Sequence, residues 1–223
     1  PNGDIYIKKH MDGVIFAGEV DIRVIEEFRK QSIPVVLVNN YLDMDGLVCI
    51  SADHYGGAVQ ATEYLCKLGH CKIGLLSGRF SPQVSEARIE GFVKTLAKYD
   101  IPVDDRFIAD IEPALEDGEE IMTRMLREVD RPTAFFCTND TIAAGAMKAV
   151  TRAGLRVPED IAIIGFDDSY ISRVVEPELT TVRIDAAKMG CLAMQTLFDL
   201  IAGMPVEKAH IQIPTELIVR GTA

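Results

Sequence analysis

Ile161-Ala162-Ile163-Ile164-Gly165-Phe166-Asp167-Asp168 is an apolar, strand-like run that ends in two carboxylates. The pattern recurs upstream. Val35–Val38 runs into Asn39-Asn40-Tyr41, Ile73–Leu76 into Ser77-Gly78-Arg79-Phe80-Ser81, and Ala134–Cys137 into Thr138-Asn139-Asp140. In open α/β sheets a ligand sits outside the carboxyl ends of the strands, where loops and helix N-termini converge. A set of such polar tips points to a built site for a small, hydrogen-bonding molecule.

Between these tips the chain alternates strand and helix patterns, which predicts a parallel sheet covered by helices. Val14–Ala17 and a short Leu47–Ile50 read as further strands. Helices are expected over Ile22–Lys30 behind an Asp21 cap, and from Asp53 to Leu68 with Gly69 just past the end. Another follows Ser81-Pro82, with Ser81 as cap and Pro82 at the first helical position, and carries Ile89, Phe92, Val93 and Leu96 on one face. Phe107–Ala109 reads as a weak strand, Glu116 to Arg127 as a helix, and Thr141–Arg152 as a helix closed by Gly154. Asp168 to Val175 is predicted as a short helix ended by Pro177. A strand Thr181–Ile184, a long helix Ala187–Ile201 stopped by Gly203, and short strands Ala209–Ile213 and Leu217–Val219 complete the order. No Gly/Ser/Pro linker interrupts it, so composition alone describes one α/β unit.

The 223 residues are 48% hydrophobic, enough for one large core or two modest ones. No apolar run reaches the ~18 residues of a membrane-spanning helix. Pro1-Asn2-Gly3-Asp4 shows no basic, apolar leader. Cys49, Cys66, Cys71, Cys137 and Cys191 form no CxxC and lie mostly in apolar runs, so buried free thiols in a reducing cytoplasm are expected. Cys and His do not pair at zinc-ligand spacing, so no metal site is expected. The net charge of −11 repels phosphate backbones and no basic cluster offsets it; these residues by themselves are not expected to bind nucleic acid.

Asp167 is the strongest single candidate, because a carboxylate at a strand mouth can accept from two neighbouring hydroxyls of a polyol or sugar. Asp168 reads as the cap of the next helix. Asn139 and Asp140 stand at a helix start where one of the pair suffices as a cap, leaving the other for a ligand. Arg88 lies beside an apolar helix face, and from sequence alone it reads as a surface charge paired with Glu86 or Glu90; the alternative is a guanidinium aimed into a cleft. Arg79 reads as solvent-facing. Asn39 and Asn40 suit either a ligand contact or a left-handed turn. Phe80, Tyr41 and Phe166 can stack on a ring or simply pack. His70, after Leu68-Gly69, reads as a cation at a helix C-terminus. No G-x-S-x-G elbow, H-E-x-x-H, P-loop or strand-borne G-x-G-x-x-G occurs, so neither catalysis nor a cofactor is expected.

Several blocks, taken together, resemble one family. Leu68-Gly69-His70-Cys71-Lys72-Ile73-Gly74-Leu75-Leu76-Ser77-Gly78 is similar to the "LGHxxIxxLxG" segment of the lactose/galactose-repressor (LacI/GalR) regulators, and Arg88-Ile89-Glu90-Gly91-Phe92 is similar to a following block. Arg131-Pro132-Thr133-Ala134-Phe135-Phe136-Cys137-Thr138-Asn139-Asp140 resembles the family's "RPTAxFcxND". Gly154 to Ile161, Gly165-Phe166-Asp167-Asp168 and Pro177-Glu178-Leu179-Thr180-Thr181-Val182 continue it, so the resemblance covers nearly the whole chain in order.

The resemblance implies two Rossmann-like lobes with parallel sheets, like sugar-binding periplasmic proteins, with the effector held between them. By that analogy residues 1–52 with 185–212 form the first lobe, and 53–184 with 213–223 the second. Arg88, Asn139 and Asp167 match the family's usual polar effector contacts. Asn39 matches a position that is often Asp. Ile111 falls where several members place an aromatic that stacks on the ligand, and Val84 takes a pocket-lining position that is polar in some relatives. The family opens with a helix-turn-helix headpiece and a β-α-β unit, neither of which is in this sequence; Asp12-Gly13-Val14-Ile15 resembles the third strand of the first lobe. An incomplete first lobe with an open sheet edge is therefore expected.

The function implied is the effector-sensing, dimerising core of a cytoplasmic bacterial transcription regulator that binds a small sugar or related metabolite. Operator DNA would be read by a headpiece outside this chain. Ile22–Lys30 and Ala187–Ile201 are candidate first-lobe faces, some of them for dimer contacts. The alternatives are an extracytoplasmic sugar-binding protein of a transporter and a Rossmann-type enzyme.

Overall fold

A computed structural model describes residues 11–40, 42, 44–206 and 209–223. Tyr41, a ring-stacking candidate by sequence, lies outside them. In chain order the elements are β1 (Val14–Ala17), α1 (Ile22–Lys30), β2 (Val35–Val38), β3 (Val48–Ala52), α2 (His54–Lys67), β4 (Ile73–Gly78), α3 (Pro82–Lys98), β5 (Ile108–Ile111), α4 (Leu115–Met125) and β6 (Ala134–Cys137). There follow α5 (Asp140–Arg152), β7 (Ala162–Asp167), β8 (Thr180–Arg183), α6 (Ala186–Ile201), β9 (His210–Ile213) and β10 (Glu216–Ile218).

The chain divides into two compact units, Pro1–Asp53 with Asp185–Ile213 and His54–Ile184 with Pro214–Ala223. The single unit that composition describes is thus corrected to two. The crossings escape composition because they fall at ordinary junctions: β3 ends at Ala52 and α2 begins at His54, as in any strand-to-helix turn.

In the first unit four parallel strands run in the order β1-β2-β3-β9, with β1 at an edge of the described sheet. Asp21 caps α1 by accepting from the Arg23 amide at 2.9 Å, as its position predicts. That helix buries Ile25 and Phe28 against Val35, Leu37, Leu47 and Cys49. Asp185 caps α6 through the Lys188 amide at 2.9 Å. On α6, Met194, Phe198 and Ile201 are exposed.

The second unit is a six-stranded sheet in the order β10-β8-β7-β6-β4-β5, parallel except for β10 against β8. Its side chains alternate between two cores. Phe135 and Cys137 join Leu76, Met122, Ile142 and Ile163 beneath α4 and α5, whereas Ala134 and Phe136 join Leu65, Phe92, Leu96 and Ile164 beneath α2 and α3. The helix pairs pack backbone to backbone at glycines. A Cβ on Gly91 of α3 would lie 2.7 Å from the Tyr55 carbonyl of α2, and one on Gly145 of α5 would overlap the Leu115 carbonyl of α4. The chain enters at β4, steps outward to β5, then crosses back to β6 and onward. The sheet therefore reverses direction between β4 and β6, the place where an α/β sheet opens a crevice at its carboxyl edge.

Three local expectations are corrected. Ser81 stands at the α3 N-cap but its side chain makes no capping bond; Ser85 Oγ instead accepts from the Phe80 amide at 3.1 Å. Phe107 sits in a 3-10 turn (Asp105–Phe107), and the strand starts one residue later. The helix predicted from Asp168 is only a 3-10 turn, Tyr170–Arg173, because Asp168 has φ +50° and cannot begin a right-handed helix.

Candidate functional site

The carboxyl ends of β4 and β6 flank the reversal point, with β7 next to β6, and three of the sequence candidates, Phe80, Phe166 and Asp167, meet there around Arg88. On α3 the buried positions are Val84, Arg88, Gly91, Phe92, Thr95 and Leu96, so Arg88 lies on the buried stripe, one turn before Phe92. The surface reading of Arg88 is overturned: the residue is 3% exposed and pairs with neither Glu86 nor Glu90 among the ion pairs seen. Its Nη1 donates to the Thr138 carbonyl at the end of β6. Its Nη2 lies 3.2 Å from His54 Nδ1 and 3.3 Å from Asp167 Oδ1. The guanidinium carbon stands 4.0 Å from the Phe166 ring centre and 4.8 Å from that of Phe80. These rings, candidates for stacking on a ligand, are thus engaged with the cation, a favourable arrangement in a dry setting. Phe166 fits because its neighbour is glycine: a Cβ on Gly57 would come within 2.7 Å of the ring.

Asp167 ends β7 at φ +108° and is followed by Asp168 at φ +50°. Two successive non-glycine residues at positive φ are costly and turn the chain sharply away from the sheet, which leaves the Asp167 carboxylate at the mouth. Its side chain is 33% exposed. Burial raises this carboxyl to about 6, against the pull of Arg88 and with a further push from the buried Asp140. The Asp140 carboxyl is itself raised by burial, and it accepts from the Ser169 amide at 2.6 Å and from the Thr181 hydroxyl.

The sign of the resulting pH dependence is fixed. A carboxyl with a folded value of about 6 against 3.8 unfolded takes up a proton on folding. Its contribution is fully present below about pH 4 and is lost as pH rises through 6. Asp167→Asn, uncharged throughout, is expected to melt above the wild type at pH 7.5, with the gap closing towards pH 4. A gap of constant size in calorimetric melts across that range would contradict the assignment.

Asn139 does cap α5, its Oδ1 accepting from the Ile142 amide at 2.8 Å. Asp140 is not the spare group that the pairing argument expects, because its oxygens are held within the fold by the Ser169 amide and the Thr181 hydroxyl. Asp168 is no cap either. Its side chain is 2% exposed and binds Arg220 at 2.6 Å, Arg183 at 2.8 Å and Arg173 at 3.5 Å. Burial works to raise this carboxyl, but the hydrogen bonds from Arg220 and Arg183 prevail and hold it down at about 2. Arg79 is exposed and pairs with Asp110 and Glu112, as its solvent-facing reading implies.

Ile111 is 6% exposed and packed with Leu76, Met122 and Ile142, so it belongs to the core and offers no open face. Val84 is also buried, at 7%. In the first unit Asn39 adopts φ +50°, and its Oδ1 accepts from the Ala52 amide at 3.3 Å; the left-handed turn is realised. Asn40 is tied to the Gly18 carbonyl and the Leu42 amide. His70 meets Thr133 Oγ1 at 2.8 Å, and burial lowers its pKa below the ordinary histidine value, which works against the cation expected there.

All five cysteines are free; Cys49, Cys66 and Cys137 are buried, whereas Cys71 and Cys191 are exposed. Among the described residues no group of three or more His, Cys, Asp or Glu is placed to hold a metal ion, and no helix is long and apolar enough to cross a membrane.

Sequence reasoning missed His54, and it named Thr138 only as part of a polar strand tip. Thr138 carries no signal, since it contributes a carbonyl that every residue has. His54 is a lone histidine at a helix start, and no neighbour in the sequence declares its partner. The signal for Arg88 was present in the four-residue spacing Val84, Arg88, Phe92, Leu96.

Residues 62–223 match the family of periplasmic-binding-protein-like domains. The chain belongs to that family. Its relatives are LacI-type regulators. The probable HTH-type transcriptional repressor ExuR of Bacillus subtilis (strain 168) is 34% identical over 221 residues, which cover 98% of this chain and 66% of ExuR. A LacI-family regulatory protein from Chloroflexus aggregans superposes with a TM-score of 0.89 at 30% identity, over 98% of this chain and 79% of that one. A LacI-family regulator from Enterococcus faecium, solved with bound ribose, gives a TM-score of 0.86 at 28% identity, over 95% of this chain and 79% of that one. The LacI-type core described here thus spans slightly less than two thirds of ExuR. These relatives bear out the α/β class with two parallel-sheet units. They are named as regulators and repressors, not enzymes, in keeping with the sequence reading.

Proposed function

We propose that this chain is the effector-sensing core of a bacterial transcription regulator, and that it binds a small, hydroxyl-rich metabolite of the sugar class. The observation that carries the reading is the Arg88–Asp167 pair, held over Phe166 at the carboxyl edge where the six-stranded sheet reverses. A guanidinium offers donors in a fixed fork, a carboxylate offers acceptors, and the Asn139 amide adds donors; a vicinal diol satisfies all of them. The pair is close to neutral overall, which suits an uncharged guest. The ribose in the Enterococcus faecium neighbour supports the same class.

In the intact protein a DNA-reading segment of the helix-turn-helix type named for ExuR would do the operator binding. Effector acts by favouring one of two conformations, and only a difference in its affinity for the two can shift their populations. Two copies acting together would couple that shift to the spacing of paired DNA half-sites. Free cysteines, two of them exposed, support a reducing compartment such as the cytoplasm.

A thermal-shift screen with D-ribose, common hexoses, disaccharides and nucleosides tests the reading. A ligand at about 100 times its Kd adds roughly 2.7 kcal/mol of stability, a rise of several degrees in Tm. At least one sugar or nucleoside is expected to give that rise. A flat response to the whole panel at millimolar concentration would overturn the proposal.

A further inference from the structure

We infer that His54 is a positioning residue of this site: by accepting at Nδ1 from Arg88, it fixes the direction in which the guanidinium faces the carboxyl edge. The inference rests on the functional reading of Arg88 given above.

Both residues are 3% exposed, and the contact of 3.2 Å joins the first residue of α2 to the second turn of α3. The two helices come close enough because Gly91, three residues beyond Arg88, leaves room for the Tyr55 carbonyl next to His54. An arginine has donors only, so Nδ1 must be the acceptor and the ring proton must sit on Nε2. Burial and the adjacent Arg88 charge lower the His54 imidazole to about 3, so the ring stays uncharged at physiological pH. The helix N-terminus opposes its protonation as well.

This choice of acceptor matters chemically. A carboxylate at position 54 would hold Arg88 by neutralising it. An imidazole holds it by a directed hydrogen bond and leaves the positive charge for Asp167 and a guest. The ring also tilts against Phe166, with centroids 6.0 Å apart, so His54, Phe166 and the Thr138 carbonyl constrain the guanidinium from separate directions.

Nitrogen-15 NMR tests the inference without any ligand. In the wild type the His54 ring is expected as a single tautomer with Nε2 protonated from pH 5 to 8, and the two Arg88 Nη signals are expected to be resolved because rotation of the guanidinium is hindered. His54→Phe keeps an aromatic ring in place but removes the acceptor, and should merge the two signals. His54→Asn, whose amide oxygen can take the place of Nδ1, should restore them. A wild-type ring protonated at Nδ1 overturns the inference, and so do resolved Arg88 signals in His54→Phe. Should that variant not fold, the wild-type tautomer still decides.

Titration with D-ribose then separates the two levels. Loss of a hydrogen bond to a charged group, about 1.5–3 kcal/mol, should weaken binding by roughly tenfold or more in His54→Phe and little in His54→Asn. Wild-type affinity in His54→Phe alongside lost binding in Arg88→Met sinks the role of His54 and leaves the site standing. Absence of ribose binding in the wild type bears on the ligand reading, and the NMR result then judges His54.

Discussion

Asp168→Ala is expected to cost about 3–5 kcal/mol of folding stability, the usual penalty for removing one partner of a buried ion pair. Against a typical total of roughly 5–15 kcal/mol, that leaves the second unit marginal. The reason lies in the placement of Arg220. Its side chain is 12% exposed, its Nη2 binds Asp168 Oδ1 at 2.6 Å, and its Nη1 donates to the Leu179 carbonyl at 2.7 Å. Arg173 and Arg183 are 60% and 40% exposed and can return to water when the carboxylate is lost; Arg220 cannot. Arg220 also anchors the chain end. Its amide donates to Thr180 Oγ1, and two residues on Thr222 Oγ1 donates to the Ile163 carbonyl, so the segment is stitched onto β7 and β8. Urea denaturation at pH 7 should show a much lower midpoint for Asp168→Ala, and an unchanged midpoint would refute the account. The pH dependence is opposite to that of Asp167. A carboxyl held at about 2 when folded contributes stability above the unfolded value of 3.8 and loses it as pH falls through 2. Wild type and variant should therefore converge at very low pH.

Much of the fold was legible in the sequence because parallel strands covered on both faces read as unbroken apolar runs. Val35–Val38 and Ala134–Cys137 emerge with the bounds that their patterns predict. The carboxyl ends were harder. β4 continues past Leu76 through Ser77 and Gly78, and β7 past Ile164 to Asp167, because those residues still pair: Ser77 with Asp110, Gly78 with Ile111, Asp167 with Arg183. Polar residues and glycine at a strand end look like a turn when the partner strand is unseen. A helix over Asp168–Val175 failed for a different reason. Asp168 stands at φ +50° with its carboxylate held by Arg183 and Arg220, residues that lie farther along the chain than the predicted helix.

The site was legible as single residues but not as a cluster. The strand-tip argument singled out Asp167 and Asn139, because the carboxyl edge of a parallel sheet is where unpaired polar groups accumulate. Arg88 was misread as exposed because its charge outweighed its phase, although Val84, Phe92 and Leu96 at four-residue spacing put it on the covered stripe. His54 and Arg88 are 34 positions apart, and nothing in either segment declares the other. Ile111 fell in the core because an aliphatic residue at that strand end closes over Met122 and Ile142.

Arg88→Met should separate binding from folding when it is combined with Asp167→Asn. Met fills much of the space between Phe80 and Phe166 but supplies no donor and no charge. On its own, the substitution deprives Asp167 of the cation that restrains its rise, so the carboxylate becomes more costly at pH 7.5. With Asp167 33% exposed, the stability loss should be smaller than for a fully buried pair, about 1–3 kcal/mol. Asp167→Asn removes the stranded charge, so the double variant should recover most of that loss. Affinity should behave differently. Truncating one member of a hydrogen-bonded charge pair at a recognition site costs about 2–5 kcal/mol, so binding of a sugar that the wild type holds should fall by on the order of a hundredfold or more in both variants. Recovered stability with lost affinity would show that the Arg88–Asp167 pair acts on the guest directly and does not merely support the fold. Recovery of both together would show that Arg88 merely holds the edge of the sheet in shape, and wild-type affinity in Arg88→Met would remove it from the site altogether. A double-mutant cycle on stability, measured at pH 7.5 and again near pH 4, isolates the pair energy, which should shrink at the lower pH as Asp167 takes up its proton.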